Sequence, residues 1–125
     1  MALRSIPHFV LAAGILLASQ SAASAACVAN YRFHVTSEGP WNAYGAIGQG
    51  KSCTGSYKAG GTTVFKRLWL VSAPARGKIQ LHEGGTYTYT APKGYTGPDS
   101  FTLRVCGKER NTEGCANIVY SMTVS

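Results

Sequence analysis

Residues 84–90 read GGTYTYT: two adjacent glycines, then strict alternation of Thr with Tyr. A period of two is the side-chain repeat of a β-strand, and no helix presents it as one face. Gly84 and Gly85 can both take positive φ, as a tight hairpin turn requires. The preceding KIQLHE has the same period, with Ile79 and Leu81 on one side and Lys78, Gln80 and His82 on the other. A hairpin over Lys78–Thr90 is therefore predicted, with Ile79, Leu81, Tyr87 and Tyr89 on its inner face. Pro92 closes it, because proline cannot donate to a ladder.

The rest of the chain follows that lead. Beyond residue 26 no stretch shows sustained helical periodicity. NYRFHVT (Asn30–Thr36) alternates Tyr31, Phe33 and Val35 against Arg32 and His34, the pattern of a half-buried strand. Weak strands are expected around Asn42–Ile47 and Ser52–Tyr57, within a Gly-rich segment. TTVFKRLWLVS (Thr62–Ser72) is β-rich, and its apolar run Leu68–Val71 suits burial. APARG (Ala73–Gly77) is a turn fixed by Pro74 and Gly77. FTLRV points Phe101, Leu103 and Val105 inward, and NIVYSMTV does the same with Ile118, Tyr120, Met122 and Val124. Six or seven short strands punctuated by turns predict an all-β, antiparallel β-sandwich. Its interior is expected to hold Phe33, Trp69, Ile79, Tyr89, Phe101, Leu103 and Ile118.

The first 26 residues differ in kind. Arg4 supplies a positive start, Phe9–Ala18 an apolar run too short for a bilayer, and Ala23-Ser24-Ala25 a small-residue cleavage site. Residues 1–26 therefore read as a secretory signal peptide and 27–125 as one domain, with no membrane span. Periplasm or extracellular space is the expected location. All four cysteines lie in the domain, and an even count in an exported chain implies two disulfides. Cys106 and Cys115 flank the polar loop GKERNTEG between two strand-like runs, where a cross-hairpin bridge is natural. That leaves Cys27 with Cys53. A zinc site is not expected, since no C-x2-C pair is present and few histidines accompany the cysteines.

Beyond the leader, eleven Lys and Arg stand against five Asp and Glu, a net charge of +6. Such a surface attracts polyanions. The basic residues are scattered, Lys66-Arg67 being the tightest pair, and no run resembles a nucleic-acid arm, so no nucleic acid is expected. Trp41 and Tyr44 lie in GPWNAYG, where aromatic rings can stack on a sugar or anchor a protein. Trp41, Tyr44, Lys66 and Arg67 are thus the candidate binding residues, for a protein or a cell-surface glycan. Trp41 serves equally well as a plug at one end of a sandwich.

Pro74, Gly77, Ile79, Gly85, Tyr87, Tyr89 and Pro92, followed by Gly94, Tyr95, Gly97, Asp99, Ser100 and Phe101, form an ordered series. It resembles the repeat of bacterial immunoglobulin-like and cadherin-like domains over Pro74–Val105. The resemblance implies an immunoglobulin-like sandwich, and an extracellular spacer or adhesive module without catalysis. Such domains usually stand in tandem; a single copy with four cysteines looks like a freestanding secreted relative. In that reading Gly94-Tyr95-x-Gly97 carries the chain from one sheet to the other, and Asp99 accepts hydrogen bonds from backbone amides. Some cadherin-like repeats hold calcium with several acids. Here Cys106-Gly107-Lys108 stands where a further acid would follow, so Asp99 is not expected to bind calcium, and no cofactor is implied.

Catalytic chemistry finds little footing. His34 and His82 fall on polar sides of amphipathic runs, Asp99 is the sole aspartate, and no glutamate pair has a recognisable context. GAIGQGKS (Gly45–Ser52) has the wrong spacing for a phosphate loop. The expected function is a non-catalytic module for adhesion or protein interaction, with binding of an anionic glycan or other polyanion as the alternative.

Overall fold

The predicted hairpin forms in full. In the computed structural model, which describes residues 25–28, 32–57 and 63–125, β5 (Lys78–His82) pairs antiparallel with β6 (Thr86–Thr90). Gly84 and Gly85 turn the corner, each at φ 81°. The remaining strands are β1 (Ala25–Ala26), β2 (Trp41–Ile47), β3 (Ser52–Ser56), β4 (Thr63–Ser72), β7 (Gly97–Glu109) and β8 (Thr112–Val124). They make two four-stranded sheets, ordered β1-β3-β6-β5 and β2-β8-β7-β4. No helix occurs among the described residues. Two outer strands depart from the antiparallel pattern: β1 runs parallel to β3 and β2 parallel to β8. Residues 1–24 of the expected leader lie outside the described residues, and its last two residues form β1.

Alternation decides what fills the space between the sheets. Tyr87 and Tyr89 of β6, Phe101, Leu103 and Val105 of β7, and Ile118, Tyr120, Met122 and Val124 of β8 are all buried. Phe101 stacks between Tyr89, at 5.3 Å, and Tyr120, at 4.7 Å. A buried phenol needs a partner for its hydroxyl. Tyr57 and Tyr120 share a hydrogen bond, and Tyr89 donates to Asp99 at 2.6 Å.

Asp99 explains the crossover that follows Pro92. It is buried on β7, yet its two oxygens accept from the amides of Arg76 (3.1 Å) and Gly77 (2.8 Å) as well as from Tyr89. One carboxylate thereby ties the β4–β5 turn, the inner face of β6 and the start of β7 together. Burial alone would raise its pKa. The hydrogen bonds from Tyr89 and from the amides of Gly77, Arg76 and Ser100 outweigh that and hold it below the usual value. Burial, and then the same hydrogen bond, push the Tyr89 hydroxyl well above its ordinary pKa.

Two expectations fail in the body of the fold. The segment at 32–36 is not a strand. The Val35 amide is taken by the Glu109 side chain at 2.6 Å rather than by a ladder, and the Asn117 amide bonds the Glu38 carbonyl. The chain here is an irregular strap along the start of β8, so close that a Cβ on Gly114 would lie 2.2 Å from the Val35 carbonyl oxygen. Trp69, Leu70 and Val71 are not core either. They are 40%, 42% and 53% exposed. β4 is the outermost strand of its sheet, and Trp69 pairs with Arg104, which points outward between the buried Leu103 and Val105. A register shift between Leu70 and Ser72 then interrupts the alternation at the strand end. Phe33 and Ile79 do pack on the core, but only partly buried.

Candidate functional site

Both disulfides pair as the loop reading expected, Cys27 with Cys53 and Cys106 with Cys115. The first joins the chain just after β1 to β3. The second bridges directly paired positions of the β7–β8 hairpin. In the loop-entropy picture, closures of 26 and 9 residues contribute about 3.5 and about 2.5 kcal/mol. Bridges of this kind point to a compartment outside the reducing cytoplasm. No helix among the described residues is long and apolar enough to cross a membrane.

The outer face of the sheet β2-β8-β7-β4 carries Tyr44, Val64 and Trp69, whereas Leu70, opposite the buried Leu103, is exposed at the open side between the sheets, beside Ile79. At its β4 edge the Arg67 guanidinium stacks on Trp69, 4.9 Å from the ring centre. No described carboxylate pairs with Arg67. Lys66 sits at a register shift between Phe65 and Arg67, and its ammonium reaches Glu113 on β8 at 2.5 Å. That contact holds the Glu113 carboxyl below its usual pKa. Between the Arg67–Trp69 pair and Lys66–Glu113 lies a depression of about 280 Å³, lined also by Cys106, Gly107 and Cys115. Val64, 53% exposed, continues the apolar strip along β4.

The four candidate binding residues do not form one site. Lys66 and Arg67 share the β4 depression. Tyr44, 71% exposed on β2, belongs to the same outer face, but β8 and β7 separate it from β4, some three strand spacings or about 14 Å. Trp41 is packed. It is half-buried against the core, its Nε1 donates to the Ser37 carbonyl at 2.8 Å, and its ring meets His34 edge-on at 5.6 Å. Trp69, assigned to the core by its apolar neighbours, is the aromatic ring that stands beside Lys66 and Arg67. A register argument placing it opposite Arg104 could have found it, but register is invisible in one strand's sequence.

Groups with catalytic potential are dispersed. His34 contacts Glu109 at 3.2 Å, His82 contacts Thr88 at 2.9 Å, and Asp99 is consumed in the crossover. Among the described residues no cluster of His, Cys, Asp or Glu could hold a metal ion.

A second basic site escaped the sequence reading. Arg76, Lys78 and Lys93 converge with Pro92 and Gly50 on a cavity of about 350 Å³. Arg76 is held by stacking on Tyr95, at 4.8 Å. Arg76 and Lys78 are neighbours in sequence, and the register Lys78↔Thr90 brings the start of β5 beside the end of β6 and so beside Lys93.

The profile of the bacterial Ig domain matches residues 49–119. This chain belongs to the bacterial Ig domain family. The matched span runs from the β2–β3 turn into β8 and so takes in the hairpin, the crossover and the β4 edge. No curated protein matches the chain. Bacterial Ig domains are generally non-catalytic, which agrees with the dispersal of His34, His82 and Asp99. For a bacterial Ig domain the place to look for function is thus the surface, at the β4 edge and in the basic cavity.

Proposed function

We propose that this bacterial Ig domain is an exported, non-catalytic module for adhesion or protein interaction. Its contact surface is the outer face and free edge of β4. The observation that carries this is the row Trp69, Leu70 and Val71, exposed together on an edge strand. Contiguous apolar surface of this kind marks interaction sites, and Trp and Arg are the residue types that dominate binding energy. The Arg67–Trp69 stack supplies both in one rigid pair, while Tyr44 extends the same face toward β2. The composition of residues 1–26 supports export, and the disulfides fit an oxidising compartment.

A photoreactive phenylalanine analogue at position 69, irradiated in intact cells, tests the reading. A discrete protein adduct is expected at 69 and none at position 80 on the other sheet. No adduct at 69, or equal labelling at both positions, overturns it. A second reading, binding of an anionic glycan or other polyanion, is favoured by the cavity around Arg76, Lys78 and Lys93.

A further inference from the structure

Resting on that second reading, we propose that an acidic polysaccharide chain binds in a groove along the β5–β6 side of the domain. The cavity bordered by Arg76, Lys78 and Lys93 does not end at Lys78. It shares Gly77, Lys78 and Thr90 with a neighbouring depression of about 480 Å³, whose lining continues to Gln80 and Thr88. The two together form one groove. Cations gather at its first end, and along its length Thr88, Thr90 and Gln80 alternate with the apolar Leu70, Ala73, Pro74 and Ile79.

The chemistry of the lining selects the ligand. No acidic side chain borders either depression. The carboxylate closest by contact, Asp99, is buried behind the turn and occupied by Tyr89 and two amides. Arg76, Lys78 and Lys93 pair with no described carboxylate, so their charge is available to a sulfate or carboxylate group, which binds a cation through charge-assisted hydrogen bonds. Thr90 and Gln80 offer the donors and acceptors that sugar hydroxyls need. Sequence-tolerant binding of single-stranded nucleic acid relies on open aromatic faces. No aromatic ring lines the groove, and Tyr95 nearby is covered by Arg76. A concave groove also suits a single chain better than a flat lipid surface. On the opposite sheet Lys66 is already paired with Glu113, and Arg67, without a described carboxylate partner, stacks on Trp69.

The test titrates the disulfide-intact protein with a heparin-derived octasaccharide, followed by amide NMR shifts at several salt concentrations. Shifts are expected at residues 76–80 and 88–93. Lys78→Ala and Lys93→Ala should each weaken binding about fivefold and lower the salt slope by about one. Gln80→Ala should weaken binding and leave the salt slope unchanged, whereas Arg110→Ala at the far hairpin tip should change neither. If the octasaccharide binds but the shifts and losses map to Lys66 and Arg67, the groove is overturned while the polyanion reading stands. Equal or tighter binding of polyphosphate, oligothymidylate or anionic vesicles overturns the choice of an acidic polysaccharide. No binding to any probe overturns both.

Discussion

β6 and β4 are both rich in aromatic and β-branched residues, and they meet opposite fates. β6 lies between two neighbours, alternates Thr with Tyr, and buries both tyrosines. β4 has one neighbour, runs Leu68-Trp69-Leu70-Val71 without alternation, and leaves the last three exposed. An apolar run reports burial on both faces only where a strand is covered on both faces. At a sheet edge, broken by two register shifts, the same composition makes a surface. The two register shifts also break the regularity of the edge, a device that discourages indiscriminate strand pairing. The edge is thus sticky through its side chains and guarded along its backbone.

The contrast can be broken by substitution. The largest effect is expected inside: Leu103→Ala, at a fully buried position paired with Leu70, should lower unfolding free energy by about 4 kcal/mol in urea titration. A loss below about 1 kcal/mol would mean that the inner face of β7 is not packed.

Asp99→Asn comes next. It keeps the size but weakens the acceptors of Tyr89, Arg76 and Gly77, and about 2 kcal/mol should be lost near neutral pH. The pH dependence has a definite sign. The folded pKa of Asp99 is lowered, so the unfolded chain binds the proton more readily, and stability falls as pH drops below about 4. Tyr89 acts at the other end. Its folded pKa is raised, so the stability it contributes is present below about pH 10 and fades as pH rises beyond. Asp99→Asn should flatten the acid limb relative to the parent. An unchanged acid limb would show that Asp99 is not held as the carboxylate.

Much of this architecture is legible in the sequence, for a physical reason. The inward series of β6, β7 and β8 can be read because a period of two is a local property, and Gly84-Gly85 and Pro92 act through the backbone of their own neighbourhood. The Cys106–Cys115 bridge is equally local. What escapes depends on partners far away in sequence. The fate of Trp69 is set by its position opposite Arg104, and the end of the strand-like alternation at 32–36 by Glu109, 74 residues from Val35. The basic cavity needs the β5–β6 register as well as the turn after β6. Trp41 and Tyr44, three residues apart, fall on opposite faces of β2 for the same parity that hides one and shows the other.

The smallest stability effect belongs to the residue on which the proposed contact surface rests. Unfolding of Trp69→Ala, measured in urea beside the parent, tests directly whether the β4 face is surface kept for a partner. A change within about 1 kcal/mol is expected, as for an exposed side chain. A loss of about 3–5 kcal/mol, the range for an aromatic removed from a core, would return Trp69 to the interior and leave β4 with no contact surface to offer.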